Sequence, residues 1–301
     1  MVISTWFHTK NGSTKYLDAN YTINLIRQTF NSPSGRDKIW ILVEGEDDCK
    51  IYPKFFQEKK CKIEQVYGGI GQLEIAIDKL QKYNDLVIGI RDADFCHITN
   101  NYFSFSNLFY TDYHDIEMMM VHNDSVFKNI LFEYGLSEIS DSLRNNLLEE
   151  TSFIGYLRYY NELNDCQINF KGLSFGKFHS QRDDDCLILL KNELINELNI
   201  RSSNKRINID ETAINIFSKT VPLINCYQLV SGHDFIKLLA FRINFSLKSN
   251  KVNDKEISKL LRNSYRIDEF KNTDLFKHIY GWQFSLGVDI LNDNKSSLSS
   301  L

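Results

Sequence analysis

No stretch of the 301-residue sequence approaches the roughly 20 consecutive apolar residues that a membrane-spanning helix needs, so no membrane association is expected. The opening "MVISTWFHTKNG" lacks a basic segment followed by an apolar core, so a secretory signal is not expected and a cytoplasmic location is. Six cysteines are scattered without a single CxxC pair, which argues against a zinc ribbon and for reduced, buried thiols. Positive charge is not in excess either. The formal net charge of −4 argues against a general nucleic-acid coat protein, though a local basic patch or a partner can still attract a phosphate backbone. There is no internal repeat, and no RRM or KH signature.

What is present reads as a globular chain long enough for two domains, 43% hydrophobic and 25% charged. A segment over 1–36 carries one helix, over 17–30, ended by "NSPSG". From 37 to 122, apolar strands alternate with helices: "KIWILVEG", the helical "DDCKIYPKFFQEKK", "CKIEQVYGG", the helical "GQLEIAIDKLQKY", "DLVIGIRDADF", and a fourth strand running into a helix in "SNLFYTDYHDIEMMM". That alternation predicts an α/β domain with a parallel sheet flanked by helices. From 123 to 301 the pattern becomes mainly helical, in "SVFKNILFEYG", "DSLRNNLLEETSFIGYLRYYNEL", "DCLILLKNELINELN", "DETAINIFSKTV", "GHDFIKLLAFRINFSL" and "DKEISKLLRNSY". "KSNKVNDKE" and "NDNKSSLSSL" read as solvated loop and tail.

Ligands of open parallel sheets lie at the carboxyl ends of the strands, and carboxylates collect there in this sequence. Glu44 ends the first predicted strand, Asp92 and Asp94 end the third, and the fourth delivers Asp112, Asp115 and Glu117. The i, i+2 spacing of Asp92 and Asp94 sends both side chains to one face. So many acids at one edge repel each other unless a cation neutralises them. Oxygen donors favour Mg²⁺ or Mn²⁺ over zinc.

Glu44-Gly45 after an apolar strand, with Asp48 four positions on, resembles the first motif of the TOPRIM fold, and Asp92-Ala93-Asp94 resembles its second. Between them "YGGIGQL" stands where TOPRIM domains carry a glycine turn. The resemblance covers roughly 37–122. "YTDYHDIE" and "SGHDFIKLLA" extend it toward the nuclease subunits of PARIS-type anti-phage defence and, more distantly, the OLD-type nucleases. It implies a Mg²⁺-dependent nuclease with Asp92, Asp94 and Glu44 as catalytic residues and metal ligands. It also implies cleavage of RNA, tRNA in particular, over DNA, and a toxic effector controlled by an ABC-type ATPase partner, with homodimerisation left open.

Other residues carry two readings each. Asp48 serves as a ligand-side acid or as a cap; Gly71 opens a phosphate-binding helix N-terminus or merely a turn that needs glycine. Asp115 and Glu117 stand near the metal or on a solvated loop, and His114 donates to a phosphate or lies in the turn. His233 and Asp234 take part in the site, as the resemblance implies, or only begin a helix. His179 and Arg182, in "KFHSQRDDD", distinguish neither. The alternative to an enzyme is a receiver-like regulatory module that binds Mg²⁺ or a nucleotide and signals through its helical half. That module needs a lysine after a fifth strand, which the sequence does not offer.

Overall fold

The computed structural model describes residues 17–30, 32, 35–69, 71–181, 187–221, 224–248 and 251–292. In chain order the elements are α1 (Ala19–Phe30), β1 (Ile39–Val43), α2 (Asp48–Ile51), β2 (Cys61–Gln65), α3 (Gln72–Leu80), β3 (Val87–Arg91), α4 (Cys96–Thr99) and β4 (Leu108–Tyr110). They continue with α5 (Ile116–His122), α6 (Asp124–Glu133), α7 (Ser140–Leu163), β5 (His179–Gln181), β6 (Leu187–Leu189), α8 (Lys191–Arg201) and α9 (Glu211–Thr220). Last come α10 (Cys226–Leu229), α11 (Gly232–Ser246), α12 (Asp254–Ser264), α13 (Ile267–Phe270) and α14 (Asp274–Ser285). No helix is long and apolar enough to cross a membrane among the described residues. Among the described residues, Cys61 and Cys166 are buried.

The chain forms two compact units: Met1–Arg91, Phe103–Tyr110 and Phe270–Leu301 make the first, and Asp92–Tyr102 and Thr111–Glu269 the second. The first is α/β. Its four strands are all parallel, in the order β2-β1-β3-β4, with Trp40 opposite Val87 and Lys62, and Gly89 opposite Leu108. β1 and β3 are buried along their whole length, as expected for "IWILV" and "VIGIR", whose apolar runs suit strands covered on both faces. Trp40 and Leu42 pack with Ile23 and Ile26 of α1 and Leu73 and Ile77 of α3. On β4, Phe109 meets Trp282 of α14 edge to face, with ring centroids 6.5 Å apart.

The second unit is mainly helical, with a two-stranded antiparallel pair, β5 and β6. α7, α8 and α9 bury Ile154, Leu157, Leu194, Leu198 and Ile214 in one core. α11 buries Phe235, Ile236, Leu238 and Leu239, the stripe foreseen in "GHDFIKLLAFRINFSL".

Two expectations about elements differ. The helix expected over "DDCKIYPKFFQEKK" lasts only through α2 and gives way to a 3-10 turn over Tyr52–Lys54. Pro53 is the reason, since it lacks an N–H and crowds the preceding turn. "DCLILLKNELINELN" is not one helix: its apolar run becomes β6, and the helix begins at Lys191. Glu150 and Asn146 of α7 accept the Leu189 and Leu187 N–H groups at 2.6 and 3.2 Å, which holds that run extended. Arg182, Cys186 and the tail over 293–301 lie outside the described residues.

A helix that the sequence pattern does not announce completes the first unit. Phe270 stacks on Phe55 at 4.2 Å, Gln57 N–H donates to Ile290 O, and Asn292 N–H donates to Phe55 O. Phe270→Ala should therefore cost about 3–5 kcal/mol, the usual range for emptying a buried aromatic site. Urea denaturation measures it, and a loss below 1 kcal/mol would mean that this ring is dispensable to the first unit.

Candidate functional site

In the first unit the chain leaves β1 at Glu44-Gly45. Gly45 N–H donates to Asp48 Oδ2 at 2.8 Å, so the buried Asp48 closes the turn that starts α2. A Cβ on Gly45 would stand 3.2 Å from that oxygen, which is why glycine suits the position. Glu46 and Asp47 pair with Lys50 on the surface, each at 2.9 Å. Glu44 Oε1 lies 3.3 Å from Arg91 Nε, and the same nitrogen lies 2.9 Å from Glu74 Oε1. Arg91 and Glu74 are both buried, and the guanidinium also lies 5.4 and 5.8 Å from the ring centroids of Phe103 and Tyr110. One cation thus serves two carboxylates. Gly71, the N-cap of α3, has φ +79°, a left-handed conformation that glycine adopts without cost.

In the second unit Asp92 and Asp94 follow directly after Arg91. Asp94 has φ +45°, so the chain has already turned and strand alternation no longer sets how the two acids face. Hydrogen bonds fix the turn: Asp94 N–H donates to His114 O at 2.8 Å, and Ala93 N–H to Thr111 Oγ1 at 2.9 Å. His114 Nε2 lies 3.8 Å from Asp94 Oδ1, and its other ring nitrogen lies 3.3 Å from Gln228 O. Burial pushes the His114 pKa down, while the Asp94 charge works the other way.

Further along, Asp115 is the N-cap of α5. Its Oδ1 accepts Met118 N–H at 2.9 Å, and its Oδ2 accepts Gly232 N–H, from the first residue of α11, at 2.7 Å. Burial pushes Asp115 up to about 6, against the two N–H groups, which favour its ionised form. Asp115, Glu117 and His233 present ligand atoms all within 4.8 Å of one another, with His233 Nδ1 4.0 Å from Glu117 Oε1. Donors on one small divalent ion stand roughly 3–4 Å apart, so a cation bound here would draw the three closer together. Each Asp115 oxygen keeps a lone pair beyond the N–H bond it accepts. The imidazole makes this a mixed nitrogen and oxygen donor set, which suits a transition ion better than Mg²⁺. Gly232 makes the approach feasible: a Cβ there would collide with Glu117 Cβ and Asp115 Oδ1.

The structure therefore groups the foreseen residues in two sets. Glu44, Asp48 and Gly71 belong to the first unit; Asp92, Asp94, His114, Asp115, Glu117, His233 and Asp234 belong to the second. Asp234 is not one of the three clustered ligands. It is buried and takes both Arg158 Nε and Nη2, at 2.6 and 3.0 Å. Asp112 is half-buried, and His179 is buried at the start of β5.

Arg91, Glu74 and Arg158 escaped the sequence reading. Glu74 carried a signal, as a charge within the buried stripe of α3 beside Leu73, Ala76 and Ile77. Arg91 carried another, as the one charged residue of an apolar strand.

Two outcomes are expected here. Gly232→Ala should destabilise the protein by about 1–3 kcal/mol through overpacking, read from denaturant midpoints; an unchanged midpoint would refute the close approach. The folded Asp115 carboxyl, at about 6, lies above its ordinary 3.8, so in EDTA its contribution to stability is full below pH 3.8 and is lost as pH rises through about 6. Melting temperatures across this range should decline less in Asp115→Asn than in the native protein, and equal declines would count against the upward shift that burial gives Asp115. Neither models of known families nor curated protein sequences match this chain.

Proposed function

We propose that the chain is a divalent-metal-dependent nuclease of the TOPRIM type. The observation that carries this reading is the placement of acids just after three strands of one parallel sheet: Glu44 after β1, Asp92 and Asp94 after β3, Asp115 and Glu117 after β4. Carboxyl ends of parallel strands are where such folds hold ligands. Among the described residues the sheet has four strands, so the fifth strand that a receiver-like module needs for its lysine is missing.

A bound Mg²⁺ or Mn²⁺ would offset phosphate charge and favour attack by water. Asp92 and Asp94 supply ionised oxygens to hold the ion. Glu44, steadied by Arg91, accepts a proton from water or supplies another oxygen. Asp115, Glu117 and His233 form a set that can hold a cation, and His114 beside Asp94 can donate to a phosphate oxygen. In this reading the substrate is RNA, tRNA ahead of DNA, and the chain is the toxic effector of an anti-phage system restrained by a partner ATPase. That last part rests on the resemblance of "YTDYHDIE" and "SGHDFIKLLA" alone.

The test is incubation of the purified chain, with and without the ATPase, with tRNA and plasmid DNA in Mg²⁺, Mn²⁺ or EDTA. Cleavage of tRNA that EDTA abolishes is expected; nicked plasmid beside intact tRNA would replace the RNA reading by a DNA one. Asp92→Asn and Asp94→Asn should raise the metal concentration required, because an amide loses the charge that offsets dehydration of a hard cation. Glu44→Gln should cost about 10²–10⁴-fold in rate. Recovery of that variant by added metal would make Glu44 a ligand, and full activity without it would sink the mechanism. Thermal melts control for folding.

A further inference from the structure

α11 brings two ionisable residues to its first turn, and the structure gives them different partners. His233 stands 4.0 Å from Glu117 Oε1, on the side of the clustered ligands. Asp234 is 2% exposed and engages Arg158 of α7 through two hydrogen bonds, 2.6 Å from Nε and 3.0 Å from Nη2. Arg158 is further confined by Phe170, whose ring centroid lies 4.5 Å from the guanidinium carbon. A planar guanidinium facing a carboxylate with two parallel bonds fixes direction as well as distance, which a lysine ammonium does not.

The residue before His233 shows what needs that direction. Gly232 N–H donates to Asp115 Oδ2 at 2.7 Å, in a space where a Cβ would collide with Glu117 and Asp115. The first turn of α11 thus lies close against the ligand cluster, with no space for a side chain at Gly232. Its only described charged anchor on α7 is Asp234. We propose that Arg158 and Asp234 are a positioning pair, whose task is to hold the α11 N-terminus so that Gly232 orients Asp115 and His233 faces Glu117. The pair's own hydrogen bonds run between α7 and α11. The pair acts through the helix, in the way that outer partners of metal ligands set ligand orientation. The inference rests on the reading of Asp115, Glu117 and His233 as a cation site.

The experiment uses Mn²⁺ alone, followed by electron paramagnetic resonance, with amide hydrogen exchange at Gly232 and thermal melts on the same full-length samples. Arg158→Lys and Arg158→Met should weaken Mn²⁺ binding on the order of 10–100-fold and speed exchange at Gly232, with Lys the milder. Either alone leaves Asp234 buried without its full partner and should lower the melting temperature. The double variant Arg158→Met with Asp234→Leu removes the charge pair together, so its melting temperature should recover. Its Mn²⁺ affinity and Gly232 protection should stay reduced. If both return with stability, the pair only supports the fold and the proposal is overturned; it is likewise overturned if Arg158→Met leaves both unchanged. Native protein that binds no Mn²⁺ would remove the cation reading. In that case rapid Gly232 exchange in the double variant would still uphold the positioning role, and native-like exchange would end it.

Discussion

A carboxylate withdrawn from water must be met by a cation or by N–H groups, and this protein meets that demand in several ways. Arg91 stands between Glu44 and Glu74. Backbone N–H groups of Met118 and Gly232 take both oxygens of Asp115, and Arg158 takes both oxygens of Asp234. These solutions differ in what they leave over. Asp234 is matched one for one, while two carboxylates share Arg91. At Asp115, Glu117 and His233 the arrangement still has room for a positive ion.

This distribution of charge gives the sheet its polarity. Apolar strands help to fix where the acids leave the sheet, because β1 and β3 are buried throughout. The acids contribute little to that packing. Burying them costs stability, which the strands and helices behind them offset.

Much of this was legible in the sequence, for physical reasons. "IWILV" and "VIGIR" announce buried parallel strands by their unbroken apolar runs, whereas Asp115, read as a metal-side or solvated-loop acid, proves to be the N-cap of α5. What could not be read is whatever depends on a partner distant along the chain. Asp234 looks like an ordinary first-turn acid until Arg158 is seen against it, 76 residues away. "LILL" reads equally as helix or strand, and pairing with β5 together with the Asn146 and Glu150 side chains of α7 decides it. The aromatic run around Arg158 gave no hint that its cation had a defined partner.

The closing segment of the first unit has a consequence for synthesis. Asn292 Nδ2 donates to Lys54 O across 238 residues, and Phe270 stacks on Phe55 in the same region. Translation at about 5–20 residues per second separates the two halves of that contact by roughly 10–50 s. Throughout that interval Phe55 and Phe56 await their cover, so the nascent sheet has an apolar surface that a chaperone can hold. The order in which the chain emerges thus makes the first unit the last to be finished.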